Sequence, residues 1–415
     1  MEIRKIPGGV TAAKGFSAAS CMAGIKYRDR TDMAMIFSDA PCTAAGTFTS
    51  NVVKAAPVLW DREIVQSAQM VRAVVVNSGI ANAGTGAEGM RICEKTAEAV
   101  KERLNIPARS VLLGSTGVIG MQIPLDRIEK GVGLLAEALG QSLEKGTEAS
   151  RAIMTTDTVN KETAVVIEVP NADGTGCVPV TIGGMSKGSG MIHPNMCTML
   201  AYITTDCAIE KSLLQKLVSG IVADTFNMIS VDGDTSTNDT LLVLANGMAC
   251  NKPITAEDDN CRLFAEALYS VCRELAMKMA ADGEGATKLI ESAVVHMDTK
   301  ENARVLARSV VSSSLVKAMV FGKDANCGRI LCALGYAGPA FDPERTEIRM
   351  IGESGEVVFC KDGAVLTFDE ELALRILSED KVRFLSDMHM GEASATAWGC
   401  DLTYDYVKIN GDYRT

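Results

Sequence analysis

Apolar runs no longer than a strand alternate with amphipathic stretches of helical spacing along most of the chain, and few architectures accommodate that alternation. Residues 73–77 and 111–114 read as buried strands. Between them, residues 88–104 carry apolar side chains at helical spacing, with Glu94, Lys95, Glu98, Lys101 and Glu102 on the other face. Residues 125–154 predict two helices joined near 140–146. Strands follow at 163–169 and 178–182, with the turn-forming residues 171–176 between them. After residue 200 the pattern recurs, with strands at 200–205, 229–231 and 241–244 and helices at 211–224 and 256–281. The tail past about 340 reads as strand-rich, with a hairpin over 356–368 and a last strand at 404–409. The expected class is mixed α/β with layered packing, and 415 residues leave room for two domains.

Composition narrows the partners. Aromatic residues make up only 5% of the chain against 47% hydrophobic, so the core must rest on Ala, Val, Ile, Leu and Met. A net charge of −11 opposes nucleic acid and anionic lipid, whose phosphates call for clustered Lys and Arg. The start, Met-Glu-Ile-Arg-Lys-Ile-Pro, has no apolar signal region, and no run of eighteen apolar residues occurs. No membrane partner and a cytoplasmic location are expected. The 13 cysteines are odd in number and never spaced C-x-x-C, which reads as small core hydrophobes, Cys272 and Cys332 among them. No metal is expected, since no two of His193, His296 and His389 have ligand spacing in sequence.

Six loops are rich in Gly, Thr, Ser, Asn and Asp between apolar neighbours: 114–120, 155–158, 187–190, 232–239, 282–287 and 321–326. One such loop is an ordinary turn; six together suggest a site built from free backbone N–H groups. The usual signatures are missing or misplaced. The G-x-G-x-x-A at 131–136 lies in a helical pattern rather than after a strand, there is no P-loop, and no histidine accompanies a G-x-S-x-G elbow. A nucleophile without a histidine base needs another base. A threonine at a chain N-terminus carries one, its α-amine with a pKa of about 7.7–8. That requires a backbone cut before a threonine, and Thr198 qualifies, lying between the glycine-rich loop at 187–190 and an apolar strand.

The segment 187–200, Lys-Gly-Ser-Gly-Met-Ile-His-Pro-Asn-Met-Cys-Thr-Met-Leu, resembles the cleavage motif of the glutamate N-acetyltransferases, also called ornithine acetyltransferases, of arginine biosynthesis. Further matches lie at 8–11, 77–79, 155–158, 230–239 and 410–415, so the likeness runs over essentially the whole chain. The resemblance implies a layered mixed α/β sandwich of the self-processing N-terminal-threonine acyltransferase type, with a smaller strand-rich α+β C-terminal domain. The boundary is expected at 285/286, giving a catalytic domain 1–285 and a C-terminal domain 286–415. Thr198 would attack the Cys197 carbonyl and leave an α chain of 1–197 and a β chain of 198–415, assembled as α2β2. It would then carry the acetyl group from N-acetylornithine to glutamate in a ping-pong cycle.

By the same resemblance, Thr116 and Gly117 form the oxyanion hole, and Thr155, Lys187, Thr198, Glu284, Asn410 and Thr415 contact substrate. No cofactor is implied, and acetyl-CoA is left open as a co-substrate. The chain departs from the family pattern at Cys197 (usually Ala), at Cys327 (often Trp), and at Ile80 and Gly84 (Asn and Cys). A self-processing amidase or aminopeptidase, which lets water resolve the acyl-enzyme, is the competing enzyme reading. An uncut, inactive scaffold is the competing reading from another class.

Overall fold

The computed structural model describes residues 2–193 and 199–412. In chain order its strands are β1 (Arg4–Ile6), β2 (Phe16–Cys21), β3 (Met33–Phe48), β4 (Val71–Asn77), β5 (Val111–Ser115), β6 (Lys161–Pro170), β7 (Cys177–Lys187), β8 (Leu200–Thr205), β9 (Ile229–Ser230), β10 (Thr240–Ala245), β11 (Leu289–Met297), β12 (Glu347–Gly352), β13 (Gly355–Lys361), β14 (Ala364–Val365), β15 (Lys381–Asp387) and β16 (Ala393–Cys400). The helices are α1 (Ala56–Gln66), α2 (Gly86–Leu104), α3 (Leu125–Ala138), α4 (Leu143–Ala152), α5 (Lys211–Asp224), α6 (Asp259–Ala281), α7 (Lys300–Ser312), α8 (Ser314–Gly322), α9 (Cys327–Gly335), α10 (Glu370–Ile376) and α11 (Tyr404–Gly411). The chain is mixed α/β, with two mixed sheets.

Two compact units share it. The first comprises residues 1–188, 194–223 and 235–275, and the second 189–193, 224–234 and 276–415. The first unit holds a nine-stranded sheet in the order β1-β6-β7-β8-β10-β3-β4-β5, with β2 also on β3. Its central strands β8 and β10 run parallel and are buried at every residue, which is why each reads as an unbroken apolar run. Helix α2 turns Ile92, Cys93, Thr96, Ala97 and Val100 inward at spacings of three and four, and Asn105 ends it in the left-handed conformation. The second unit holds a seven-stranded sheet, β14-β13-β12-β15-β11-β16-β9.

Two expectations need correction. Residues 404–409 are helical, not extended. Although Tyr-Asp-Tyr-Val-Lys-Ile suits a strand, the Thr403 hydroxyl accepts the Tyr406 N–H and donates to the Gly285 carbonyl, which sets the first turn of α11. Cys272 is buried as expected, but Cys332 is exposed on α9. All twelve cysteines among the described residues are free. No single helix among them is long and apolar enough to cross a membrane.

Candidate active site

Lys187, the last residue of β7, is buried in the first unit, and β7 is pinned antiparallel to β8 so that Lys187 faces Leu200. Its ammonium donates to the Thr155 hydroxyl at 2.9 Å and lies 3.5 Å from the Thr116 hydroxyl. The Asp157 carboxylate stands 3.8 Å away. Asp157 is fully enclosed. It accepts from Lys161 Nζ (2.7 Å), Gly188 N–H (2.7 Å) and Thr155 N–H (3.1 Å). Burial alone would raise its pKa, but the charges of Lys187 and Lys161 outweigh burial and hold the carboxyl well below the usual range. Two lysine ammoniums flank this carboxylate, beside the two hydroxyls.

Thr116 and Gly117 follow β5. The Thr116 N–H is taken by the Asn77 carbonyl at 3.0 Å, so of this residue only the hydroxyl is left to act as a donor. A hydroxyl that accepts from Lys187 keeps its own proton to donate elsewhere. Gly117 sits at φ 123°, and a Cβ there would come within 2.4 Å of the Gly79 carbonyl oxygen. Val118 N–H bonds to Gly79 O and Ala81 N–H to Val118 O, lacing this loop to 79–81. Only glycine fits a backbone so close to its neighbour.

In the second unit, residues 189–193 lead up to the expected cut. Asp232 accepts the N–H groups of Met191 (2.6 Å) and Ile192 (2.8 Å), and Val231 N–H bonds to Ile192 O. Glu284 is buried; its N–H bonds to Ser189 O, and its Oε2 accepts from Asn410 Nδ2 at 2.8 Å. A Cβ on Gly190 would lie 2.3 Å from the Glu284 carboxylate, so the glycine makes room for it. His193 is held by the Ser230 hydroxyl at 3.0 Å. Burial first, and the Arg308 charge second, push its imidazole down to about 4, leaving it neutral at pH 7.

Thr116, Thr155 and Lys187 are thus gathered in one unit, and Glu284 and Asn410 meet in the other. Cys197, Thr198 and Thr415 lie outside the described residues. Of the departures from pattern, Ile80 is buried and its carbonyl accepts from Asn77 Nδ2, Gly84 has φ 66°, and Cys327 is buried at the start of α9. Reading the sequence missed Asp157, Lys161 and Asp232. The available signal was an Asp in the polar loop after α4 and a Lys four residues on, at the start of β6, beside a motif already singled out.

The ArgJ family model matches residues 17–415. The chain is similar to the arginine biosynthesis bifunctional protein ArgJ of Symbiobacterium thermophilum, 50% identical over 412 residues and 99% of each chain. It is likewise similar to the ArgJ of Thermotoga neapolitana, 47% identical over 97% of this chain and 99% of that one. Among solved structures, ornithine acetyltransferase of Mycobacterium tuberculosis complexed with ornithine is 40% identical; the match covers 48% of this chain and 100% of that one, with a TM-score of 0.42. The class defined here is an acyltransferase of arginine biosynthesis. The chain belongs to the ArgJ family.

Proposed function

We propose that this chain cuts itself between Cys197 and Thr198 and then moves the acetyl group of N2-acetylornithine to glutamate through an acetyl ester on Thr198. The Thr198 hydroxyl attacks the Cys197 carbonyl, the peptide C–N bond breaks to give an ester and a free Thr198 amine, and water hydrolyses the ester to release the Cys197 carboxylate and the Thr198 hydroxyl. That amine takes the hydroxyl proton as the oxygen attacks the acetyl carbonyl, and gives it to the departing ornithine amine. The amine of glutamate then attacks the ester and leaves as N-acetylglutamate. Each tetrahedral intermediate carries an oxyanion, for which the Thr116 hydroxyl and the Gly117 N–H are the proposed donors. Glu284 is proposed to hold the charged amino end of ornithine, its Oε2 fixed by Asn410. Acetyl-CoA is a second donor to test in the same assay. The proposed assembly is α2β2 in the cytoplasm.

One observation carries this reading. Leu200, two residues after Thr198, is paired with Lys187, whose ammonium is already bound to the Thr116 and Thr155 hydroxyls. A lysine cation near Thr198 favours a neutral amine and an anionic transition state. The test compares wild type with Thr198→Ala by intact mass, then assays acetyl transfer. Wild type should give two fragments, the second beginning at Thr198, that co-elute natively and transfer acetyl to glutamate. The variant should stay whole and inactive. A wild-type chain that stays whole, or that releases acetate with glutamate present instead of transferring it, overturns the reading.

A further inference from the structure

We propose that His296, Asp387 and His389 form a binding site for a first-row divalent transition-metal ion, Zn2+ being the type case, which takes no part in the acyl-transfer steps. In sequence, His296 and Asp387 are 91 residues apart, and no spacing rule connects them. The second unit's sheet joins them. Strands β11 and β15 run parallel with Val295 opposite Asp387, so His296 and Asp387 leave the sheet at one end. The β11/β16 pairing shifts register between Val294 and Met297, and that irregularity turns His296 outward. The turn after β15 folds back, with Met390 and Gly391 N–H bonded to the His296 carbonyl, and brings His389 beside it.

The side chains converge on one carboxylate. His296 Nδ1 is 2.8 Å from Asp387 Oδ2, and His389 Nδ1 is 3.4 Å from Asp387 Oδ1. The rings stack, with centroids 6.2 Å apart and planes 17° from parallel. One ligand atom from each residue can be chosen so that all lie within 4.8 Å of one another. With metal–ligand bonds of about 2.0–2.1 Å, neighbouring ligands on a tetrahedral ion are about 3.3 Å apart. The two histidine–carboxylate distances, made to different oxygens of Asp387, lie on either side of that value, and all three side chains have solvent in which to adjust. Both histidines also have left-handed backbones, at φ 53° and 49°, an uncommon conformation for a side-chain-bearing residue. Each imidazole approaches a separate oxygen of Asp387, and this convergence of two stacked imidazoles on one carboxylate is the arrangement that a divalent cation would take up. Two imidazoles and a carboxylate are a donor set for Zn2+, Co2+ or Ni2+, with water completing the coordination.

The test uses the whole protein, dialysed against chelator and titrated with Co2+ and with Zn2+. Wild type should bind one Co2+ per chain with a nitrogen–oxygen spectrum lacking the thiolate charge-transfer band that the cysteines would produce. His296→Gln and His389→Gln should each weaken binding by more than about tenfold, the loss typical even of outer-shell partners. Zn2+ should raise the melting temperature of wild type and not that of the double variant. Equal circular dichroism and acetyl transfer in the variants would show that they fold. Absence of binding by wild type, or binding that persists unchanged in the folded double variant, overturns the proposal.

Discussion

Asp157 shows how much one side chain does here. It accepts from Lys161 and two backbone N–H groups and faces the Lys187 ammonium 3.8 Å away, with no side-chain exposure to dilute the interaction. Removing the charge while keeping the shape, Asp157→Asn, strands two buried ammoniums and should cost about 3–5 kcal/mol of stability. Denaturant unfolding at pH 7 checks this. Its folded pKa lies below the unfolded value, so its contribution is present above the ordinary 3.8 and is lost as pH falls through the depressed folded value. The titration that distinguishes variant from wild type therefore lies in strong acid, not near neutrality. Asp157 was only half legible: the motif at 155–158 was visible, but that this Asp would meet Lys187 depends on β7 ending beside the loop, which no local spacing reveals.

At the scale of elements, the strands with unbroken apolar runs and the amphipathic α2 were readable because burial on both faces, or on one helical face, writes itself into composition. The hairpin expected over 356–368 is present as β13 and β14, turned at Asp362-Gly363, both of which take positive φ. Helix α11 was not readable. Its Tyr404 and Val407 are exposed, so no apolar stripe marks it, and its start is decided by a cap whose hydroxyl also reaches Gly285. Thr403→Ala removes both bonds and should destabilise the second unit by about 1–2 kcal/mol. A lowered melting temperature, restored by Thr403→Ser, is the expected outcome. An unchanged one would mean that the cap does not hold the helix.

Across the whole molecule, both units take in chain from either side of residues 194–198. Strand β8 pairs with β7, and β10 pairs with β3, so a cut at 197/198 would leave the downstream piece held to the upstream one by two ladders. Acid should act on the two units in different windows. For His193 the folded pKa, about 4, is below the ordinary 6.5, so the unfolded chain takes the proton first and stability falls as pH drops from 6.5 toward 4. Thermal melts across that range should show the second unit weakening in wild type, and a flatter profile for His193→Gln. Equal slopes in both proteins would sink this assignment.

What the sequence determined by itself was local or carried in unbroken motifs: the α/β alternation, the buried strands, the glycine-rich loops, and a cleavage-like segment specific enough to bring the family with it. Tertiary structure decided the rest. It buried Lys187 against Asp157 and drew its ammonium to Thr116 and Thr155, made Gly117 sterically obligatory against Gly79, and carried His389 to His296. Local patterns record what each residue needs from its own neighbours and from water. They do not record which distant strand ends a sheet will bring to one edge, and that is where charges and ligands meet.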